Sequence, residues 1–135
     1  MKFKILKTIA VTALISSVSV TAGIADILDT IKERGTLIVG VKADYKPYGF
    51  LDSSGTVIGL EPDLAQDVAD KLGVAIEYVP VVSSNRMQFL EQGKIDLMIA
   101  TMTDKPDRRK VVQIVDPNYY SSGTNVLALK SLGLK

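Results

Sequence analysis

Three short aliphatic runs, each separated from the next by a segment of helical period, constrain the fold of this chain more than any other feature. The first is Thr36-Leu37-Ile38-Val39-Gly40-Val41, the second spans residues 75–79 and ends at Pro80, and the third is Ile95-Asp96-Leu97-Met98-Ile99-Ala100. Continuous rather than alternating apolar character is what a strand covered on both faces needs. Between the first two runs, Leu64, Ala65, Val68, Ala69 and Leu72 recur on one face of a helix predicted over residues 62–73, with Pro62 at its start and Gly73 at its end. Between the second and third, residues 85–92 present Met87, Phe89 and Leu90, and Gly93 stops that helix. The order βαβαβ predicts an α/β fold with a parallel sheet, right-handed crossovers and helices against it.

Smaller elements complete the reading. Residues 29–35 form a short charged helix stopped by Gly35, residues 52–55 a turn, and Val57 and Ile58 a short extended piece. Glu61 and Asp63 read as helix-start acids, and Asp67 with Lys71 as an i,i+4 pair. Beyond the third strand, residues 106–110 are expected to make one helical turn, and residues 111–115 and 126–129 to be extended.

The N-terminus has a different character. Lys2, Lys4 and Lys7 precede an apolar run from Ile9 to Val20, and small residues follow at Ala22, Gly23 and Ala25. This is the layout of a cleaved secretory signal over residues 1–25, with cleavage after Ala22 as the alternative. A membrane anchor fits less well, because the run is about a dozen residues long, holds Thr12, Ser16, Ser17 and Ser19, and falls short of the ~20 a span needs. Three of the 16 basic residues and none of the 15 acidic ones lie in that segment, so the rest of the chain carries a net charge of −2. That balance argues against a nucleic-acid partner.

The chain has 135 residues and no Cys, His or Trp. Disulfides, thiolate nucleophiles, Cys- or His-ligated metals and Ser-His-Asp arrangements are thereby excluded. Chemistry must come from carboxylates, Lys, Arg, Tyr and hydroxyls. In open parallel sheets ligands bind beyond the carboxyl ends of the strands. Three loops meet there: residues 42–48, 81–85 and 101–104, with Arg108 one turn further on. Hydroxyls and backbone N–H groups beside a guanidinium suit a small carboxylate, and Tyr45 and Tyr48 offer ring faces.

From Asp26 onward the sequence resembles the periplasmic substrate-binding proteins of polar amino-acid ABC importers, the family 3 solute-binding proteins. The resemblance rests on Gly59-Leu60-Glu61-Pro62-Asp63-Leu64, Tyr45-Lys46-Pro47-Tyr48, Gly93-Lys94-Ile95-Asp96-Leu97, the stretch from Ala100 to Arg108, and Asp116-Pro117-Asn118-Tyr119-Tyr120. It implies a periplasmic-binding-protein type II-like lobe, with a mostly parallel sheet flanked by helices. It further implies that Arg108 grips a ligand carboxylate and that Ala100, Thr101 and Thr103 bond the carboxylate and ammonium, while Tyr45 packs on the ligand. Tyr119 and Tyr120 are expected to pack at a lobe boundary.

Lys42 and Ser83 depart from the lysine- and arginine-binding pattern, where an acid and an aromatic ring are expected. They are read as specificity positions favouring an uncharged or acidic amino acid. Family members have two lobes. The expectation is therefore a first lobe over residues 26–130, the start of a crossover at 131–135, and a second lobe absent from this chain, so that the single lobe binds weakly or not at all. No cofactor, metal or catalytic residue is implied. The implied partners are a free amino acid and, for the intact protein, a membrane permease; a periplasmic monomer without a lasting membrane anchor is expected. The alternatives are a periplasmic cyclohexadienyl (prephenate or arogenate) dehydratase, with Asp44 and Asp104 the nearest carboxylates, and a ligand-sensing module.

Overall fold

The computed structural model describes residues 27–123, 125 and 127–133. The signal segment 1–25 lies outside the described residues. Helix α1 (Ile27–Arg34) leads into strand β1 (Thr36–Val41), the centre of a three-stranded parallel sheet in which β5 (Ala75–Pro80) pairs on one side and β6 (Leu97–Ile99) on the other. Thr36 to Val41 pair in register with Ala75 to Pro80, and Val39 to Val41 with Leu97 to Ile99. The third strand is thus shorter than the apolar run that announced it. Asp96, one residue before β6, turns its carboxylate back onto the Ile38 N–H at 2.8 Å and pairs with Arg34.

Both faces of β1 are covered, as its unbroken apolar sequence requires. Leu37, Val39 and Val41 point into a core with Ile31, Ala65, Ala69 and Ile99. Ala65 and Ala69 come from helix α2 (Leu60–Leu72), where two small residues one turn apart let the helix approach the sheet closely. On the opposite face, an added Cβ at Gly40 would lie 2.6 Å from Ile95 Cδ1, so the absent side chain is what lets Ile95 and Val81 close over β1. Helix α3 (Arg86–Glu91) crosses between β5 and β6.

A second, antiparallel sheet was not legible in the sequence. Strands β2 (Asp44–Tyr45), β3 (Gly49–Leu51) and β4 (Val57–Ile58) pair in that order, and a turn at residues 52–56 links the last two. Asp52 Oδ1 accepts from the N–H groups of Ser54 and Thr56, a local Asx arrangement that fixes the turn. Strands of two or three residues lie below what periodicity can reveal.

Three other expectations need correction. Helix α2 begins at Leu60, so Pro62 is its third residue, not its first. The exposed i,i+4 contact on it is Gln66 Nε2 donating to Asp70 Oδ1 at 2.7 Å, rather than Asp67 with Lys71. After α4 (Pro106–Arg109), residues 111–115 join no ladder, because no strand lies alongside to accept them. Of the residues expected to be extended at 126–129, Val126 is outside the described residues. Leu129 has an extended backbone at φ −62° and ψ 133°, although 127–129 pair with no strand, and a 3₁₀ turn follows at Lys130–Leu132.

Gly59, where β4 gives way to α2, has φ 129°, and a Cβ there would sit 2.5 Å from Tyr48 O and 2.7 Å from Pro47 O. Gly59→Ala is expected to destabilise by about 2–5 kcal/mol, because strain and overpacking add. Gly55, at φ 83° with open space around it, should lose only about 1–2 kcal/mol on substitution by Ala. Urea midpoints for the two variants check the difference, and equal losses would contradict it.

Candidate functional site

The carboxyl ends of β5, β1 and β6 lie at one edge of the parallel sheet, and the loops leaving them bring together most of the residues singled out above. Lys42 follows β1 and is buried, with Nζ 2.7 Å from Asp44 Oδ1. Ala100 and Thr101 follow β6; Ala100 is buried, and Thr101 has φ 49°. For a β-branched residue that left-handed backbone costs about 1–3 kcal/mol and needs support from its surroundings.

The support comes from a buried carboxylate. Glu61, in the first turn of α2, is 0% exposed. Its Oε1 accepts from the Thr101 N–H at 2.6 Å and from the Tyr119 hydroxyl at 2.7 Å, while the same N–H also faces Tyr119 Oη at 3.1 Å. Its buried Oε2 has no hydrogen-bond partner among the described residues. Burial pushes the Glu61 carboxyl above its ordinary range, opposed by the Tyr119 and Thr101 bonds and, more weakly, by Lys42. Tyr119 is pushed up in turn, by burial first and then by its bond to Glu61. The helix-start reading of Glu61 is therefore incomplete: it sits in the first turn but faces the core. Tyr119 does more than pack at a boundary.

Arg86 was not singled out in the sequence. It opens α3, is 6% exposed, and donates to the Ala100 carbonyl. Burial, followed by the Arg108 charge, lowers its pKa. No sequence pattern marks an Arg at the start of a short helix as buried; only the packing of α3 on the sheet does so.

Within the run Arg108-Arg109-Lys110 the structure separates the roles. Arg109 reaches Asp104 (2.6 Å) and Asp116 (2.9 Å), and Lys110 reaches Asp107 (2.9 Å). Arg108 is half-buried and donates to the Thr103 carbonyl at 2.6 Å; among the described residues it has no carboxylate at ion-pair distance. Thr101 and Thr103 do not cap α4, whose N-cap is Lys105 with no side-chain cap bond.

Tyr45 is exposed and stacks on Tyr48 with ring centroids 5.6 Å apart; Tyr48 meets Tyr120 at 4.9 Å, and Tyr120 meets Tyr119 at 5.1 Å. Four rings from two distant segments thus form one wall beside the strand ends. A cleft of about 190 Å³ lies at the foot of that wall, between Thr103 and Asp104 on one side and Asn118 and Ser122 on the other. It borders the strand-end edge rather than coinciding with it, since of the expected ligand residues only Thr103 lines it. Ser83 is exposed in the loop after β5 and does not line that cleft. Among the described residues no group of three or more carboxylates is placed to hold a metal ion.

A parallel sheet flanked by helices, with polar loops gathered at its carboxyl edge, is the type II periplasmic-binding-protein domain, and solved structures of that fold match it. The arginine-bound form of domain 1 from TmArgBP, a T. maritima protein, is 40% identical with a TM-score of 0.63, covering 66% of this chain and 71% of that one. The ancestral amino acid-binding protein AncCDT-1, described as a precursor of cyclohexadienyl dehydratase, is 43% identical with a TM-score of 0.66, covering 68% of this chain and 40% of that one. Residues 37–133 match the model of the bacterial extracellular solute-binding proteins, family 3. The chain belongs to that family. Among curated relatives, the L-cystine-binding protein TcyJ of Escherichia coli (strain K12) is 34% identical over 87% of this chain and 44% of its own length. The glutamine-binding protein of Geobacillus stearothermophilus is 38% identical over 76% and 40%. The chain thus spans less than half the length of these relatives.

The raised carboxyl of Glu61 has a signed consequence for stability. The folded chain holds that proton more tightly than the unfolded chain, so the contribution of the protonated form is complete below the ordinary value of 4.5 and is lost as pH rises through the raised one. Glu61→Gln keeps an acceptor but has no charge to bury, so its stability relative to the native protein should improve from pH 4 to pH 8. Urea denaturation across that range measures the difference, and a constant offset would contradict the raised value.

Proposed function

We propose that this lobe carries the primary amino-acid grip of a periplasmic receptor serving an ABC importer. Arg108 holds the ligand α-carboxylate, while Ala100, Thr101 and Thr103 bond the carboxylate and ammonium and Tyr45 lies against the ligand body. The observation that carries the reading is the isolation of Arg108. In a run of three cations it is the one without a carboxylate at ion-pair distance among the described residues. A half-buried guanidinium bonded only to a backbone carbonyl is ready for a bidentate carboxylate. The Thr101 N–H is already held by Glu61, so the contribution of Thr101 comes from its hydroxyl.

Two buried cations near this edge, Lys42 and Arg86, support an uncharged or acidic ligand rather than a cationic one. The names of the cystine- and glutamine-binding relatives agree with that preference. The arginine-bound domain 1 bears on a different point: it supports locating a ligand grip within a single lobe of this fold, which bears on the expectation that one lobe binds weakly or not at all. A second lobe, contact with a membrane permease, and export through the N-terminal signal belong to the same proposal for the intact protein.

The dehydratase reading draws on the likeness to AncCDT-1, but the local carboxylates favour binding. Asp104 is held below its ordinary value, first by its bond to Arg109, which makes it a poor proton donor at neutral pH. Asp44 is engaged by the Lys42 ammonium.

Calorimetry of the intact protein with L-glutamate, L-glutamine, L-cystine and L-arginine tests the proposal. Binding of one of the first three in preference to arginine is expected. Arg108→Ala should weaken that binding by about 2–5 kcal/mol, since it removes one partner of a desolvated pair. Unchanged affinity in the variant removes Arg108 from the site, and turnover of prephenate would favour the enzyme.

A further inference from the structure

The Ala100 carbonyl and the Thr101 N–H belong to one peptide group, and the fold grips it from both sides. Arg86, from α3, donates to the carbonyl. Glu61, from α2, accepts from the N–H at 2.6 Å. Both side chains are buried, at 6% and 0% exposure. Among the described residues, Thr101 is also the one non-glycine residue with positive φ.

These observations belong together. A peptide between an extended strand and a left-handed residue flips by concerted rotation about its two flanking bonds, and such a flip here would point the N–H away from Glu61 and the carbonyl away from Arg86. Two charge-assisted bonds would be lost at once: Glu61 would keep the Tyr119 hydroxyl but lose an N–H, and Arg86 would lose its carbonyl acceptor in the interior. The Tyr119 hydroxyl adds a third tie, because it bonds Glu61 Oε1 and faces the same N–H. From the clamped peptide, residues 101–104 run directly to the Thr103 carbonyl that Arg108 holds.

We infer that Glu61 is a positioning residue: with Arg86 it clamps the Ala100–Thr101 peptide and thereby fixes the loop that presents Thr101, Thr103 and Arg108 to the ligand. The inference deepens the receptor reading and rests on it for its effect on binding, while the clamp itself is a property of the fold. Glu61 contacts no ligand in this role and acts through the backbone of Thr101.

Two measurements on the intact protein separate these levels. Amide hydrogen exchange, followed by NMR, reads the clamp without any ligand. The Thr101 amide should exchange slowly in the native protein, about a hundredfold faster in Glu61→Ala, and at near-native rate in Glu61→Gln, which retains the acceptor. Calorimetry with L-glutamate, L-glutamine, L-cystine and L-arginine reads the consequence. Glu61→Ala should lose about tenfold or more in affinity for whichever binds, and Glu61→Gln should restore most of it. An unchanged Thr101 exchange rate in Glu61→Ala overturns the clamp, as does a Gln variant that matches Ala in both measurements. If Glu61→Ala does not fold, the Glu61→Ala/Thr101→Gly double variant decides. Recovery of folding, once glycine removes the strain, supports the clamp, and continued failure overturns it. A native protein that binds none of the four amino acids sinks the receptor reading, while the exchange rates still decide the clamp.

Discussion

Everything at the functional edge depends on β1 being hydrogen-bonded along both sides. With β5 and β6 parallel to it, each connection must cross the sheet and return, and helices fill the crossovers. The geometry leaves three strand ends and their loops on one side of the molecule. Lys42, the Val82–Asn85 turn that precedes Arg86, and the Ala100–Thr103 loop are neighbours for that reason alone. A glycine at position 40 contributes to the same end, because its missing side chain lets Ile95 and Val81 seal the face of β1 opposite α2.

The second constraint is charge in the interior. Among the described residues three charged side chains lie buried near the strand ends, and of these only Lys42 has a conventional ion-pair partner there. Glu61 and Arg86 instead reach opposite ends of one peptide. Desolvation disfavours both charges, as the raised Glu61 and lowered Arg86 values reflect. Such groups persist in a fold when they hold a shape that apolar side chains cannot hold. Here the shape is the left-handed backbone at Thr101. The four-ring tyrosine wall beside it joins the hairpin loop at residues 45–48 to the distant segment at 119–120, so both flanks of the edge are tied to the same scaffold.

Much of the fold was legible because its elements are governed by local pattern. The bounds of β1 follow from an unbroken aliphatic run, and the end of α2 from Gly73 in a left-handed conformation with its N–H on the Ala69 and Asp70 carbonyls. The antiparallel sheet escaped because Asp44–Tyr45 and Val57–Ile58 are too short for a period to show. Residues 111–115 misled for the opposite reason: β-branched composition favours a strand, but a strand needs a neighbour. The candidate site divides the same way. Tyr45, Thr101, Thr103 and Arg108 stand at recognisable places in the sequence, whereas Arg86 and the inward role of Glu61 leave no mark in it.

The sequence by itself determined the α/β order, the strand-end loops and a chemistry without thiols or imidazoles, because composition and periodicity act over a few residues at a time. Only the tertiary structure decided which charges would be free. Arg108, Arg109 and Lys110 are adjacent and chemically alike in the sequence, yet Asp104 and Asp116 claim Arg109 while Asp107 claims Lys110. Arg108 alone of the three is left with a carbonyl, and Glu61 is drawn into the core toward a peptide forty residues away. The Arg109 and Lys110 pairings join neighbours three to seven residues apart, settled by how the chain turns around α4. The Glu61 contact depends instead on how two separate segments meet in space, and no local pattern encodes it.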